Sequence, residues 1–115
     1  MNPKATIPFE VFAQVDMRVG TIIKVEDFPE ARKPAYKLQI DFGESLGIKK
    51  SSAQITDLYP KEDLIGKQII AVVNFEPRQI GPFMSEVLVL GLVGDERGVV
   101  LLEPNKSTKN GLIVS

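Results

Sequence analysis

Strict alternation of apolar and polar side chains over Tyr36–Phe42 is the feature that most constrains this fold. Tyr36, Leu38, Ile40 and Phe42 share one side, while Lys37, Gln39 and Asp41 share the other. A period of two suits a half-buried strand and cannot be buried by a helix. Comparable short runs lie on both sides of it. In Met17–Val25, Val19, Thr21, Ile23 and Val25 are expected on one face and Gly20, Ile22 and Lys24 on the other, with Gly20 marking a bulge or sharp bend. Ile48–Ile55, Gln68–Phe75, Met84–Val93 and Val99–Leu102 complete the series, and Ile69–Val73 reads as buried on both faces.

Turn chemistry separates these segments. Asp27–Pro34 and Glu76–Phe83 each carry two prolines, which cannot continue a ladder. Gly94–Gly98 reads as a hairpin loop, and Asn110-Gly111 as a tight turn before the apolar tail Leu112–Val114. The one helical signal beyond the N-terminal region follows the third segment: Thr56 or Asp57 caps it, Leu64 and Ile65 give its apolar side, and Gly66 stops it. Near the start, Phe9, Phe12 and Val15 are spaced by three, which suits a helical turn plugging a barrel.

This order predicts an all-β fold, a five-stranded Greek-key OB-fold barrel with a short helix between the third and fourth strands and extra terminal segments. A β-sandwich is the alternative. At 115 residues the chain is one domain's worth, so a single domain over 1–115 is expected.

Two absences limit the chemistry. With no Cys there is no disulfide, thiolate nucleophile or Cys metal ligand, and with no His the usual neutral-pH base and metal ligand are missing. Ser-His-Asp and Cys-His catalysis are therefore excluded. No catalytic constellation, metal set or cofactor motif remains, so a non-enzymatic binding role is expected. The longest apolar runs fall far short of the roughly 20 residues that span a bilayer. Met1–Phe12 lacks the apolar stretch of a signal peptide, which makes a cytoplasmic protein without membrane insertion the expectation.

Two surfaces are candidates for binding. From Arg32 to Thr56 five cations (Arg32, Lys33, Lys37, Lys49, Lys50) face two anions, in a chain whose formal charge is only −1. Beside them Ser51, Ser52 and Gln54 crowd into one strand, an arrangement able to hold phosphates or peptide main chain. Its plain alternative is a solubilised strand edge. The other candidate is apolar: Phe75, Pro77, Ile80, Pro82, Phe83 and Met84 gather around one loop, and Phe28, Pro29 and Pro34 around another. Such groups cover the core, meet another subunit or line a groove.

Several blocks together resemble a known family. Val15–Ile22, Phe28–Leu38, Ile40–Gly43, Lys50–Thr56, Val72–Phe75 and Ser85–Gly91 are similar, in order, to the CsaA group of the tRNA-binding-domain superfamily. The resemblance implies an OB-fold, a homodimer, and relatives that bind tRNA. CsaA-type members are export-related chaperones for unfolded or presecretory polypeptides. By analogy a tRNA face falls on Lys49, Lys50, Ser51, Ser52, Asn74, Arg78, Ser85 and Glu86. The chain departs from the broader superfamily after Ser85, where Glu86-Val87-Leu88 replaces a Ser-x-Gly-Met sequence.

The expected activity is thus polypeptide binding by a dimer, with tRNA binding on the same face as the alternative. In the first reading Phe75, Ile80, Phe83 and Met84 supply contact area. Arg32, Lys33, Lys49, Lys50 and Arg78 meet acidic groups, while Ser51, Ser52, Gln54 and Asn74 bond to peptide main chain.

Overall fold

Residues 1–115 are all described by a computed structural model. The alternating segment forms β2 (Tyr36–Asp41), with Tyr36, Leu38 and Ile40 buried and their neighbours half-buried. On one side β2 pairs with β1 (Met17–Asp27), and on the other with β3 (Ile48–Ala53), both antiparallel. The opposite edge of β1 takes β4 (Gln68–Val72), and β4 takes β7 (Leu88–Val89). The sheet order is therefore β3-β2-β1-β4-β7, an OB-fold barrel of five antiparallel strands, nearly closed where β3 approaches the chain ahead of β7.

The interior holds Ile22, Leu38, Ile40, Phe42, Ile55, Ile69, Ala71 and Val87. Leu64, wholly buried, comes from the short helix α2 (Lys61–Leu64). Pro60 occupies the position before that helix with no side-chain cap, so Thr56 and Asp57 do not cap it. Tyr59 ties this connection to two strands, since Tyr36 donates its hydroxyl proton to the Tyr59 carbonyl and the Tyr59 hydroxyl accepts from Leu101 N–H.

β1 corrects the expected facing. Ile22 pairs with Ile40 but Lys24 pairs with Gln39, which leaves Ile23 as the extra residue of a bulge. The bulge turns Ile22 and Val25 inward and leaves Ile23 exposed. Gly20 sits inside the regular β1–β4 ladder instead. Its role is close packing: a Cβ there would lie 2.6 Å from Ile40 Cγ2 and 2.7 Å from the Phe42 ring.

Two further expectations change. Glu76–Phe83 is no open loop but a hairpin of β5 (Arg78–Ile80) and β6 (Phe83–Ser85), turned at Gly81-Pro82 with Gly81 at φ 56°. Met84–Val93 is accordingly divided among β6, β7 and β8 (Gly91–Leu92), and β8 pairs with β9 (Val100–Leu101). At the kink between β7 and β8, Leu90 donates to Ile70 O and accepts from Leu102 N–H, so the strand changes partners there. The N-terminal turn is α1 (Phe9–Ala13), and it plugs nothing: none of its residues is buried, and Phe9 is 74% exposed. A helix this short, packing chiefly Phe9 on Phe12, leaves its apolar side outside the barrel.

Gly20→Ala is expected to cost about 1–3 kcal/mol through overpacking against Ile40 and Phe42. Urea unfolding monitored by circular dichroism reads this, and an unchanged midpoint would show that the two strands have room to part.

Candidate binding cleft

The seam of the barrel positions the site. Between β3 and Ser85–Val87 only one main-chain hydrogen bond forms, Glu86 N–H to Lys50 O at 2.8 Å. Side chains supply the rest. The Glu86 carboxylate accepts from Lys50 N–H at 2.9 Å, and Ser85 Oγ accepts from Ser52 N–H at 3.0 Å. Ser51 Oγ donates to Val87 O at 2.9 Å. Ser51 is therefore a correction to the outward-facing set: it is fully buried, because alternation on β3 turns Ser51 and Ala53 inward and Lys50 and Ser52 outward.

The same alternation separates Lys49 from Lys50. Lys50 stands over the Phe83 ring, its Nζ 5.4 Å from the centroid. Lys49 projects to the other side of the strand and lines none of the cavities described next. Phe83 in turn packs edge-on against Phe28 at 5.5 Å, and Lys37 Nζ lies 5.7 Å above Phe28. Phe28 is buried, so this pair anchors the β5–β6 hairpin over the outer face of β2 and β3.

Three adjoining cavities then run along β3 beneath that hairpin. One of about 280 Å³ is lined by Phe75, Ile80, Ser85, Glu86 and Leu88 among others. The next, about 290 Å³, is bordered by Arg32, Lys33, Gln54 and Arg78. The third, about 360 Å³, reaches between Ala53–Ile55 and Leu88–Gly91. Ser52, Arg78 and Ile80 line all three, which makes them one cleft.

Of the expected residues, Arg32, Lys33, Ser52, Gln54, Phe75, Arg78, Ile80, Ser85 and Glu86 thus meet in the cleft. Phe83 and Lys50 brace its roof, and Met84 lies exposed on the same hairpin. Asn74 faces elsewhere: its Oδ1 accepts from Asp16 N–H and its Nδ2 donates to Gln14 O, tying the N-terminal segment to the end of β4. Leu88, Val89, Leu90 and Val99 complete the apolar lining and escaped the sequence analysis. They read as ordinary strand core, and only the gap at the seam exposes them.

Cations around this cleft are left without ion-pair partners. Arg18, Lys24, Lys61, Lys67 and Arg97 each pair with a carboxylate. Three of these pairs shift ionisation clearly: the Arg97 guanidinium holds the Asp95 carboxyl down to about 2, and hydrogen bonds to Asp16 and Asp27 raise Arg18 and Lys61 respectively. Arg32, Lys33, Lys37, Lys50 and Arg78, around the cleft, pair with no carboxylate. A cleft lined by apolar groups, main-chain edges and unneutralised cations suits an extended, partly anionic chain.

Such a barrel is of the OB class. The chain belongs to the family described as "Putative tRNA binding domain", which matches residues 17–112. Among solved structures, the chaperone CsaA of Bacillus anthracis str. Ames is 55% identical with a TM-score of 0.91, over 96% of this chain and 100% of that one. The CsaA chaperone protein of Picrophilus torridus is 53% identical, with the same TM-score of 0.91 and the same shares of 96% and 100%. Methionine–tRNA ligase of Pyrococcus horikoshii is 36% identical over 105 residues, which is 91% of this chain but 14% of that enzyme. No helix is long and apolar enough to cross a membrane.

Glu86→Ala is expected to destabilise the barrel by about 2 kcal/mol, since it removes a charged acceptor from the Lys50 amide, and Glu86→Gln should recover much of the loss. Urea titration of the three proteins tests this. Equal midpoints for all of them would show that the carboxylate does not hold the seam.

Proposed function

We propose that this protein is a non-enzymatic, dimeric chaperone of the CsaA type that holds unfolded or presecretory polypeptide in the β3 cleft. The observation that carries this reading is the continuity of the cleft: an apolar strip from Phe75 through Ile80 to Leu88 meets the free cations Arg32, Lys33 and Arg78. Few polar groups are fixed there, so binding is promiscuous and weak at each site. The likeness to two CsaA chaperones along nearly the whole chain supports the same reading.

A second copy of the chain fits a separate surface. Ile7, Phe9 and Val11 are exposed before β1, and Leu112 and Ile113 are exposed beside it, where Ile113 bridges to Arg18. Exposed apolar side chains near both chain ends suit a subunit contact. Light scattering at micromolar concentration is expected to give twice the chain mass of 12.7 kDa. A value at the single-chain mass would remove the dimer from the account.

The alternative, tRNA binding, is supported by the family match over residues 17–112 and by the five cations around the cleft that pair with no carboxylate. Salt separates the two readings. Released counterions make RNA affinity fall by orders of magnitude between about 50 and 200 mM salt. Polypeptide held by apolar burial should change by less than about threefold over the same range. Titrating a labelled denatured polypeptide and a labelled tRNA at both salt levels decides it. Tight, salt-steep tRNA binding without polypeptide binding would overturn the chaperone reading.

A further inference from the structure

The last residues of the chain dock on β1, and their hinge is an Asn-Gly pair. Val19 N–H donates to Leu112 O at 3.1 Å, Val114 N–H donates to Met17 O at 2.9 Å, and Ile113 bridges to Arg18. Arg18 Nη1 also donates to Gly111 O at 3.2 Å. The segment thus takes the side of Met17–Val19 that β2 leaves free, opposite β4. At the hinge the Asn110 side chain is fixed. Gln68 accepts from Thr108 N–H and donates to Thr108 O, which sets the orientation of its own amide. Asn110 Oδ1 accepts from Gln68 Nε2 at 3.0 Å and from the Thr21 hydroxyl at 2.9 Å. Gly111 follows at φ 91°, where a Cβ would lie 2.6 Å from Phe42 O. Without a side chain its nitrogen is unshielded, and what restrains it is the bond from Gly111 N–H to Val19 O at 2.8 Å. Of the four asparagines Asn2, Asn74, Asn105 and Asn110, only Asn110 precedes a glycine.

We propose that Asn110-Gly111 is a latent deamidation site, closed while the C-terminal segment is docked on β1 and open when that segment detaches. Chain ends open locally at far lower cost than a barrel unfolds. Detachment frees the Gly111 nitrogen from Val19. That nitrogen loses its proton to water and bonds to Asn110 Cγ, the Cγ–Nδ2 bond breaks, and ammonia leaves. Water then opens the succinimide at one carbonyl or the other, giving aspartate or isoaspartate, with no oxidant or reductant involved. The two products differ in consequence. Aspartate keeps an acceptor for Thr21 and Gln68, so the segment docks again. Isoaspartate lengthens the main chain by one carbon ahead of the Gly111 nitrogen. The bonds that Gly111, Leu112 and Val114 make with β1 then fall out of register, and a transient opening becomes permanent.

The full chain is incubated at neutral pH with and without denaturing urea, then digested with trypsin, which releases Asn110–Ser115 by cutting after Lys109. Mass spectrometry reads a gain of about 1 Da on that peptide, against a digest made at zero time. The folded chain is expected to deamidate at least about tenfold more slowly than the unfolded one. Val114→Pro removes one docking bond and Arg18→Ala another, and neither alters the Asn-Gly pair. Each variant, shown to be folded by circular dichroism, should deamidate at least about threefold faster than the natural chain. Amide hydrogen exchange reads the consequence. Isoaspartyl protein, separated by ion exchange, should lose protection at Val19 and Val114, while Asn110→Asp should keep it. Equal rates in the folded and unfolded chain overturn the proposal. Unchanged rates in both variants overturn it too, since the gate would then be global unfolding. Isoaspartyl protein that keeps its protection at Val19 and Val114 overturns it equally.

Discussion

The arrangement depends on how the barrel is shut. A five-stranded sheet that curls on itself leaves one join, and here that join is made by the side chains of Ser51, Ser85 and Glu86 with a single main-chain bond. Side chains reach across a wider gap than a ladder does, so the two edges need not run parallel. They are held together at Lys50 and Ser52, and main-chain bonding across the join ends before Gln54. The cleft runs along this loosely joined edge. The join also explains why an acidic residue sits at position 86 of a positively charged face: its carboxylate is engaged by the Lys50 amide and serves closure.

The hairpin of β5 and β6 then makes the gap into a groove. Its hold is aromatic, Phe83 against the buried Phe28, with Lys37 and Lys50 above the two rings. Ammonium groups over ring faces keep their charge in solvent while their stems shield the apolar contact. The result is a rim at once greasy and positive. With five other cations spent in ion pairs, a chain of almost neutral total charge keeps unpaired cations around this groove.

Much of this was legible in the sequence. The period-two pattern of Tyr36–Phe42 gave its strand and facing correctly, because no irregularity interrupts β2. The helix after the third strand and the turn at Asn110-Gly111 followed from residue chemistry as well. Met17–Val25 misled because a bulge adds one residue without leaving a compositional mark, and every side chain beyond Ile22 then changes face. Ser51 misled because a hydroxyl suggests solvent, yet it is satisfied in the interior by a carbonyl 36 residues away in the chain. Phe9 and Phe12 misled because helical spacing identifies an apolar side and not what covers it. Within the cleft, residue types were readable one by one. That Arg32, Gln54 and Arg78 converge was not, since it requires the register of β3 and the placement of the hairpin together.

The central claim is that other chains are gripped between β3, the β5–β6 hairpin and β7. Amide chemical-shift mapping of the isotope-labelled protein with an unfolded polypeptide tests it most directly. The account predicts that the largest perturbations fall on Ser52, Gln54, Arg78, Ile80 and Val89. Perturbations centred instead on the remote hollow between Gly43–Ser45 and Lys109–Leu112, with the β3 amides unmoved, would contradict it.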